Sequence, residues 1–234
     1  MTSSTPRAAE AREHAALLLH RLARHIPLDE RSSLLDVGTA DGAYVEALRD
    51  AGFAAVGVEP RSEVRGANIE DGRAEDLPFP DASFDLVISM SVMEHVDSPE
   101  EAAREAHRVL KPGGGFYFAT TSVLCPRQSE IRGFPAFPWY PDAAKRRIMD
   151  WALRKRPELI AHTTTPAYHW FSPRKAERLA RANGFSRMLD RWDLHVVEEM
   201  GAWRGRACRV ARAGAPMRHL AGVFVEGSSY LFVK

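Results

Sequence analysis

A glycine-bearing turn is the first place where this sequence could do chemistry. The apolar run Leu34-Leu35-Asp36-Val37 leads directly into Gly38-Thr39-Ala40-Asp41-Gly42. Glycine lets a backbone approach a ligand closely, and a helix that begins after such a turn offers free N–H groups to an anionic ligand. The spacing departs from the Gly-x-Gly-x-x-Gly pattern of dinucleotide sites, which disfavours NAD or FAD without excluding them. The turn indicates a ligand site or, alternatively, only a tight turn.

A second candidate is Glu59, which closes the run Val56-Gly57-Val58 and lies 21 positions after Gly38. A carboxylate at the end of a second strand can accept hydrogen bonds from both ribose hydroxyls of an adenosine-containing ligand. A solvated carboxylate at a strand end is the alternative. Taken together, Glu59 and the turn at Gly38 favour a nucleoside ligand.

Three further motifs carry a family resemblance. They run from Gly72-Arg73-Ala74-Glu75-Asp76-Leu77-Pro78-Phe79 to Asp85-Leu86-Val87, through Met93-Glu94-His95-Val96, and then through Arg108-Val109-Leu110-Lys111-Pro112-Gly113-Gly114. In this order they resemble the class I S-adenosylmethionine-dependent methyltransferases, in particular the ubiquinone and menaquinone methylase branch (methyltransferase type 11). The resemblance spans Leu34 to Thr120 and resumes from Phe171 to Phe185.

The resemblance implies roles for the matching positions. The turn from Gly38 to Gly42 would surround the methionyl end of S-adenosylmethionine, and Glu59 would bind its ribose. The segment from Ala74 to Leu77 would form the adenine edge, and Met90 with Ser91 would line the methyl-donor channel. The complete implied cofactor set is Asp36, Gly38, Thr39, Ala40, Gly42, Glu59, Pro60, Ala74, Glu75, Asp76, Leu77, Met90 and Ser91.

Three positions depart from the family pattern. Ala40 replaces the middle glycine of the turn, and Arg73 stands where an acidic residue is often found. Some quinol methylases of this branch use a divalent cation and carry a glutamate three positions before the Glu-His pair. That position is Ser91 here, which leaves Glu94 and His95 as the evident ligands. Two ligands are too few for a cation site, so we expect no required metal.

Methyl transfer depends mainly on alignment of the reactants and exclusion of water. A hydroxyl acceptor also benefits from a base, and histidine has a suitable proton affinity near neutral pH. The resemblance implies that His95 faces the donor channel, so His95 is the predicted catalytic residue. The predicted acceptor-binding residues are Tyr140, His162, Tyr168 and His169. A structural or exposed histidine is the alternative for each imidazole.

Alternating elements must position these residues. Apolar strand-like runs separated by helical stretches, such as the one at Pro99–Val109, predict an α/β fold with a parallel sheet and helices on both faces. The resemblance implies a Rossmann-like sheet of seven strands, mostly parallel, with the last strand antiparallel. We divide one domain into an N-terminal helix (7–32), a cofactor-binding half (33–121), a cap insertion (122–171) and a C-terminal part (172–234). Helical spacing extends the first helix through Ile26. The third strand is expected in Ala67–Asp71, where Ile69 is the single apolar signal, and a later strand is predicted over Arg187–Leu194.

The cap, residues 122–171, has a composition of its own. It holds eight of the 21 aromatic residues and eight cationic against four acidic residues. The stretch Lys145–Lys155 predicts a basic amphipathic helix. It indicates either an ordinary surface helix or part of an aromatic, basic cap that receives an acidic or amphiphilic acceptor. A dimer arm or a peripheral contact with a membrane is the competing interpretation. The position of the cap directly after the fifth strand predicts that it forms one wall of an acceptor pocket.

Composition narrows the function classes. Lys and Arg number 32 and Asp and Glu 31, so a net charge of +1 gives no global attraction to nucleic acid. Two distant cysteines indicate neither a disulfide framework nor a zinc site, and together with the lack of a signal-like segment they predict a cytoplasmic protein. The favoured function is methyl transfer from S-adenosylmethionine to a small-molecule or lipid-like acceptor, at oxygen. The alternatives are a Rossmann-type oxidoreductase that uses NAD or a nucleotide sugar, and an inactive methyltransferase-like binding protein. The acceptor and the oligomeric state do not follow from the sequence.

Overall fold

A computed structural model describes residues 6–60, 68–160 and 166–234. Its strands are β1 (Ser33–Val37), β2 (Ala54–Glu59), β3 (Ile69–Asp71), β4 (Phe84–Met90), β5 (Leu110–Thr120), β6 (Arg187–Asp190) and β7 (Ser228–Val233). Its helices are α1 (Pro6–Leu22), α2 (Ala43–Asp50), α3 (Pro99–Val109), α4 (Asp142–Lys155), α5 (Pro173–Ala182), α6 (Arg191–Leu194), α7 (Ala202–Arg212) and α8 (Ala215–Gly222).

The strands form one sheet of seven in the order β3-β2-β1-β4-β5-β7-β6. β1 pairs in parallel with β2 and β4, and β4 pairs in parallel with β5. β7 is antiparallel to both β5 and β6. The strand order reverses at β1 and β4, and in open sheets of this kind ligands bind beyond the carboxyl ends of the strands at such a point. The seven-stranded, mostly parallel sheet predicted from the sequence is confirmed.

Two apolar layers cover the faces of the sheet because successive side chains in a strand point to opposite sides. On β5, Phe116 and Phe118 pack with α3 and α5, whereas Tyr117 between them packs with the layer that contains α1 and α2. Leu231 of β7 lies in the same layer as Tyr117. Helices therefore lie on both faces, as predicted.

Two predicted element bounds are wrong. α1 ends at Leu22, and Ile26 follows in a turn whose N–H donates to the Leu22 carbonyl. Ile26 is nevertheless buried in the same layer as α1, so its spacing from the apolar residues of α1 reflects burial and not a continued helix. The strand predicted over Arg187–Leu194 ends at Asp190, because the Asp190 side chain accepts hydrogen bonds from Trp192 and Asp193 and starts α6.

The cap has an apolar cluster of its own, separate from the two layers on the sheet. Phe137, Met149 and Trp170 are buried in it, and α4 supplies one side. Its polypeptide leaves β5 and returns at Phe171, whose N–H donates to the Thr121 carbonyl. No helix in the described ranges has both the length and the apolar character needed to cross a bilayer.

Candidate functional site

The turn after β1 has the backbone that a close approach requires. Gly38 and Gly42 have φ of 75° and 77°, in the left-handed region, and Ala40 between them has φ of 50°. A Cβ on Gly38 would lie 2.3 Å from Cγ2 of Val92, so only glycine fits there. Ala40 is thus a tolerated but strained replacement of the family's middle glycine.

Glu59 at the end of β2 ties this turn to the sheet. Its Oε2 accepts a hydrogen bond from the Ala40 N–H at 2.9 Å, and its side chain is buried. Asp36, at the end of β1, is 3% exposed. Burial, followed by the negative charge of Glu59, raises the pKa of Asp36 to about 6. Two acidic groups therefore lie next to the turn in a position suited to a cationic or hydroxyl-rich ligand.

A first cavity, of about 360 Å³, lies on one side of Gly38. Its wall combines the turn with Tyr44 of α2 and Met90 at the end of β4. The sequence analysis missed the contribution of α1, which adds Glu10, Ala11 and His14 to the lining. The buried hydroxyl of Tyr44 has no hydrogen-bond partner among the described residues, so the cavity offers an unused polar group.

A second cavity, of about 240 Å³, also touches Gly38. Pro60, Ala74 and Glu75 line it, as the adenine-side prediction requires of them, together with Val92 and His95. Its walls also include Val37, Val58, Gly72, Arg73, Val96 and Asp97. Its lining therefore joins the ends of β1 and β2 to the segment after β3.

Two residues of the implied adenine edge, Asp76 and Leu77, do not line this cavity. Leu77 is 3% exposed, and its N–H donates to the Glu105 carboxylate at 3.0 Å. That hydrogen bond occupies the backbone group that a purine could otherwise use. The implied contact through Leu77 is therefore corrected: the residue anchors the segment to α3.

The two cavities fit the shape of S-adenosylmethionine. Gly38 lines both, so an elongated ligand that crosses the turn can place an adenine in the second and an amino acid end in the first. The glycine that a Cβ would obstruct and the unpartnered Tyr44 hydroxyl support this fit. The residues that would hold the cofactor are Asp36, Gly38, Thr39, Ala40, Tyr44, Glu59, Pro60, Ala74, Glu75 and Met90.

A third cavity, of about 260 Å³, lies where β4, β5 and β7 meet the cap. Ser91 and Glu94 come from the turn after β4, and Thr120 comes from the end of β5. The cap contributes residues 127–130 and Trp170, and the segment before β7 contributes Glu226 and Gly227. Cap residues thus line a cavity beside the sheet, although they are other residues than those predicted.

Successive residues after β4 line three different cavities. Met90 lines the first, Ser91 the third and Val92 the second. Ser91 has φ of 57°, which turns the chain sharply at this point. The turn after β4 therefore lies between the proposed cofactor space and the third cavity.

Glu94 is the buried ionisable group of the third cavity. The residue is 2% exposed, and its Oε2 accepts a hydrogen bond from the Thr120 hydroxyl at 2.7 Å. Its backbone carbonyl accepts hydrogen bonds from the N–H groups of Tyr168 and His169, which fix it to the segment by which the cap returns to the sheet. Burial raises the pKa of Glu94 to about 7, an effect that the Thr120 hydrogen bond reduces and the charge of Glu130 increases.

A carboxyl with a pKa near 7 is poised to accept a proton at neutral pH. The sequence analysis singled out Glu94 only as one half of an insufficient metal pair. Its position in the turn after β4 is the sequence feature that could have identified Glu94 as a functional residue, because a carboxylate at that position is enclosed once a cap covers the sheet. Among the described residues, no group of three His, Cys, Asp or Glu side chains could hold a metal ion.

His95 occupies a different place from the one predicted. It lines the second cavity with Ala74 and Glu75, whereas the third cavity is lined by its neighbour Glu94. The physical reason is that adjacent side chains of this turn leave the backbone in different directions. The placement does not support the prediction that His95 faces the methyl donor.

The predicted acceptor residues of the cap do not line the third cavity. Tyr140 packs against Phe137 with ring centroids 5.5 Å apart, and the Tyr168 hydroxyl donates to Asp150 at 2.6 Å. Both belong to the apolar cluster of the cap. His169 is half-buried beside that cluster, and its carbonyl accepts the Thr121 hydroxyl at 3.0 Å. His162 lies outside the described residues.

Comparison with known proteins identifies relatives. A family model described as a methyltransferase domain matches residues 8–188. An uncharacterized methyltransferase of Mycolicibacterium gilvum is 37% identical over 104 residues, which cover 40% of this chain and 41% of that protein. One from Mycobacterium tuberculosis (strain ATCC 25177 / H37Ra) is 35% identical over 115 residues, covering 45% of each chain. The chain thus aligns with less than half the length of these curated relatives.

Solved structures share the fold. An S-adenosylmethionine-dependent methyltransferase from Mesorhizobium loti has a TM-score of 0.61 at 15% identity, covering 97% of this chain and 100% of that one. A Haemonchus contortus phosphoethanolamine N-methyltransferase has a TM-score of 0.55 at 16% identity, covering 93% and 52%. The family model begins within α1 and ends within β6, and it includes the ends of β1, β2, β4 and β5 that line the three cavities. The chain therefore belongs to the class I S-adenosylmethionine-dependent methyltransferases.

Proposed function

We propose that this protein transfers a methyl group from S-adenosylmethionine to a small-molecule or lipid-like acceptor bound in the third cavity. The observation that carries the proposal is the enclosed Glu94 carboxyl in a cavity that adjoins the turn after β4. S-adenosylmethionine supplies an activated methyl group when bound. The protein needs to align the acceptor, exclude water and manage one proton.

The chain's own residues divide this work. The turn from Gly38 to Gly42 and Glu59 bind and orient the cofactor, and Ser91 separates its space from the acceptor. The cap excludes water from the third cavity. Glu94 accepts the proton that an acceptor hydroxyl releases as its oxygen is methylated. Thr120 orients the Glu94 carboxyl through the 2.7 Å hydrogen bond.

Methylation at oxygen is the favoured chemistry, because a hydroxyl requires a nearby base and Glu94 has a pKa near neutral. An amine acceptor is the second candidate. Its supporting observation is the group of three carboxylates in the cavity lining, Glu94, Glu130 and Glu226, against the single guanidinium of Arg127. Such a balance favours a cationic acceptor electrostatically.

The test has two steps. Calorimetry with S-adenosylmethionine and, separately, NAD distinguishes a methyltransferase from the oxidoreductase alternative. Release of S-adenosylhomocysteine is then measured with matched panels of phenols, hydroxylated lipids and amines. Turnover with a hydroxyl panel supports the proposal, turnover with amines alone shifts it to nitrogen, and cofactor binding without any turnover supports the inactive binding protein.

A further inference from the structure

The helices α7 and α8 carry a surface that the proposed methyl transfer does not use. Residues 200–225 contain five arginines and no aspartate or glutamate. This is a strong local charge in a chain whose net charge is only +1. The two helices pack against each other, so they present their outer faces as one structural unit.

Large apolar side chains are exposed on this unit. Trp203 is 72% exposed and Val210 is 57% exposed on α7, while Leu220 and Phe224 are 56% and 68% exposed at α8 and the turn after it. Trp203 and Val210 lie seven positions apart, which places them on one face of a helix. The opposite face of α7 is buried through Gly205, Cys208 and Ala211.

The cations on α7 remain available to a partner. Arg204, Arg206 and Arg209 are exposed, and none of the three forms an ion pair within the described parts of the chain. Arg212 and Arg218 differ, because Arg212 donates to backbone carbonyls and Arg218 pairs with Asp190 and Asp193 at 2.8 and 2.7 Å.

We propose that this surface, which we call the C-terminal helical surface, docks on an anionic lipid bilayer. It consists of Trp203, Arg204, Arg206, Arg209, Val210, Leu220 and Phe224. An exposed tryptophan and aliphatic side chains flanked by arginines are the features of a helix that lies in a membrane interface. Guanidinium groups pair with lipid phosphates while the apolar side chains enter the boundary of the acyl chains. A nucleic acid would pair with the arginines but gain little from Val210, Leu220 and Phe224.

The cap helix α4, for which a membrane contact was one of the alternatives from the sequence, is the weaker candidate. Lys145 is buried and pairs with Asp142 at 2.8 Å, and the Arg146 guanidinium lies over the Tyr168 ring. α4 also contains two acidic residues, Asp142 and Asp150. Its cations are therefore partly used inside the cap. On α7, Arg206 and Arg209 are exposed and form no ion pair within the described residues, and Arg204 lies over the exposed Trp203 ring, 5.5 Å from its centroid.

The C-terminal helical surface lies next to the third cavity. The Phe224 carbonyl accepts a hydrogen bond from Arg127 at 2.9 Å, and Arg127, Glu226 and Gly227 all line that cavity. A bilayer on this surface would lie close to the cavity, which suits an acceptor carried in a membrane. Only this last consequence rests on the proposed function, because docking itself requires neither cofactor nor acceptor.

Vesicle flotation tests the proposal directly. The full chain is mixed with vesicles of phosphatidylcholine or of equal parts phosphatidylcholine and phosphatidylglycerol, and binding is measured at low and high salt. We expect binding to the anionic vesicles that weakens with salt. The triple variant Arg204→Gln, Arg206→Gln and Arg209→Gln should lower the partition coefficient by about fivefold or more per cation. Trp203→Ser with Val210→Ser should lower it about tenfold.

The matched controls are on α4. Arg147→Gln, Arg154→Gln and Lys155→Gln remove three exposed cations, and Trp151→Ser removes a tryptophan that is 43% exposed. These variants should bind vesicles as the unmodified chain does. Loss of binding in the α4 variants but not the α7 variants would overturn the proposal.

Three other outcomes would overturn it as well. They are absence of vesicle binding, binding of a transfer RNA in place of vesicles in a mobility-shift assay, and a self-associated chain that becomes monomeric when Trp203 and Val210 are replaced. All substituted side chains are exposed, so we expect each variant to fold. An unchanged circular dichroism spectrum or an unchanged calorimetric affinity for S-adenosylmethionine checks this.

Discussion

At the scale of single residues, three features of Glu94 act on the same side chain and its backbone. The Thr120 hydroxyl holds its carboxyl, the cap holds its backbone carbonyl, and burial raises its pKa to about 7. A buried charge that only stabilised the fold would be expected beside a cationic partner, whereas the ionisable neighbour that increases this shift is another acid, Glu130. The arrangement is costly for stability and suited to proton transfer.

Replacing Glu94 tests that role. Glu94→Gln keeps the size of the side chain and an oxygen for the Thr120 hydroxyl but removes the base. We expect kcat to fall by roughly 10²- to 10⁴-fold, the usual contribution of a general base, while affinity for S-adenosylmethionine stays within about threefold. Turnover and calorimetry measure the two effects, and Glu198→Gln, at an exposed glutamate outside the three cavities, is the control. Unchanged turnover in Glu94→Gln would remove Glu94 from the mechanism.

Glu59 carries the proposed ribose contact. Glu59→Ala removes both the carboxylate and its hydrogen bond to the Ala40 N–H. We expect S-adenosylmethionine to bind more weakly by about 1 to 3 kcal/mol, the range for hydrogen bonds to a charged acceptor. Glu59→Gln, which can still accept from Ala40, separates the ribose contact from the support of the turn. Equal calorimetric affinity in the alanine variant and the unmodified chain would exclude Glu59 from the site.

At the scale of elements, the cap behaves as a small packed unit that lends part of its edge to the site. Phe137 and Trp170 are buried in its interior, Tyr140 and Tyr168 pack against it partly buried, and residues 127–130 with Trp170 line the third cavity. Aromatic density in the sequence therefore mainly marked the core of the cap, and Trp170 alone of these four aromatic residues also faces the cavity. A packed core and a ligand-facing wall give the same density of aromatic residues in a sequence, because aromatic side chains bury a large apolar area in either place.

The two tyrosines separate these roles experimentally. Burial and then the Asp150 hydrogen bond raise the pKa of Tyr168 to about 12, so its hydroxyl stays protonated and donates. Tyr168→Phe should lower the free energy of unfolding by about 1 to 3 kcal/mol because it leaves Asp150 without this donor. Acceptor turnover should not change. Tyr140→Phe, whose ring keeps its contact with Phe137, is the control in urea denaturation. An altered acceptor preference in Tyr168→Phe would contradict this purely structural role and support the prediction that Tyr168 binds the acceptor.

At the scale of the whole molecule, the sheet collects its buried acids at one edge. Asp36 at the end of β1, Glu59 at the end of β2 and Glu94 after β4 are all nearly inaccessible to solvent. They meet because parallel strands direct their carboxyl ends to the same side of the sheet. The fold thus accepts a loss of stability at neutral pH where it builds a binding site.

This arrangement has a definite pH dependence. Folded pKa values of about 7 for Glu94 and about 6 for Asp36 exceed the ordinary values of 4.5 and 3.8, so folding favours the protonated forms. The associated stability is fully present below the unfolded pKa values and is lost as pH rises through about 6 to 7, by about 3 kcal/mol for each group. Urea denaturation of Glu94→Gln and of the unmodified chain should agree near pH 4 and diverge in favour of the variant by about pH 8. A constant difference across this range would contradict the shift.

The sequence alone determined the alternation of strands and helices along the chain and carried the resemblance to the methyltransferase family. The glycine turn, the carboxylate after β2 and the Pro99–Val109 helix are local features, set by turn conformation, strand alternation and capping. Ser98, for example, accepts the Glu101 N–H at 3.1 Å, as its position before Pro99 predicts. Such signals lie within a few neighbouring residues, so no tertiary information is needed to interpret them.

Only the tertiary structure decided which side chains share a cavity. His95 and Glu94 are neighbours in sequence but line different cavities. Both lie in the turn after β4, and the third cavity beside Glu94 forms only when β5 and the cap pack around this turn. Lys145 looked like part of a basic surface, but its side chain is buried and pairs with the exposed Asp142 at 2.8 Å. The placement of α1 beside the first cavity likewise depends on packing between residues distant in sequence. Direction and burial of a side chain are properties of its packed surroundings, which residue type and spacing do not specify.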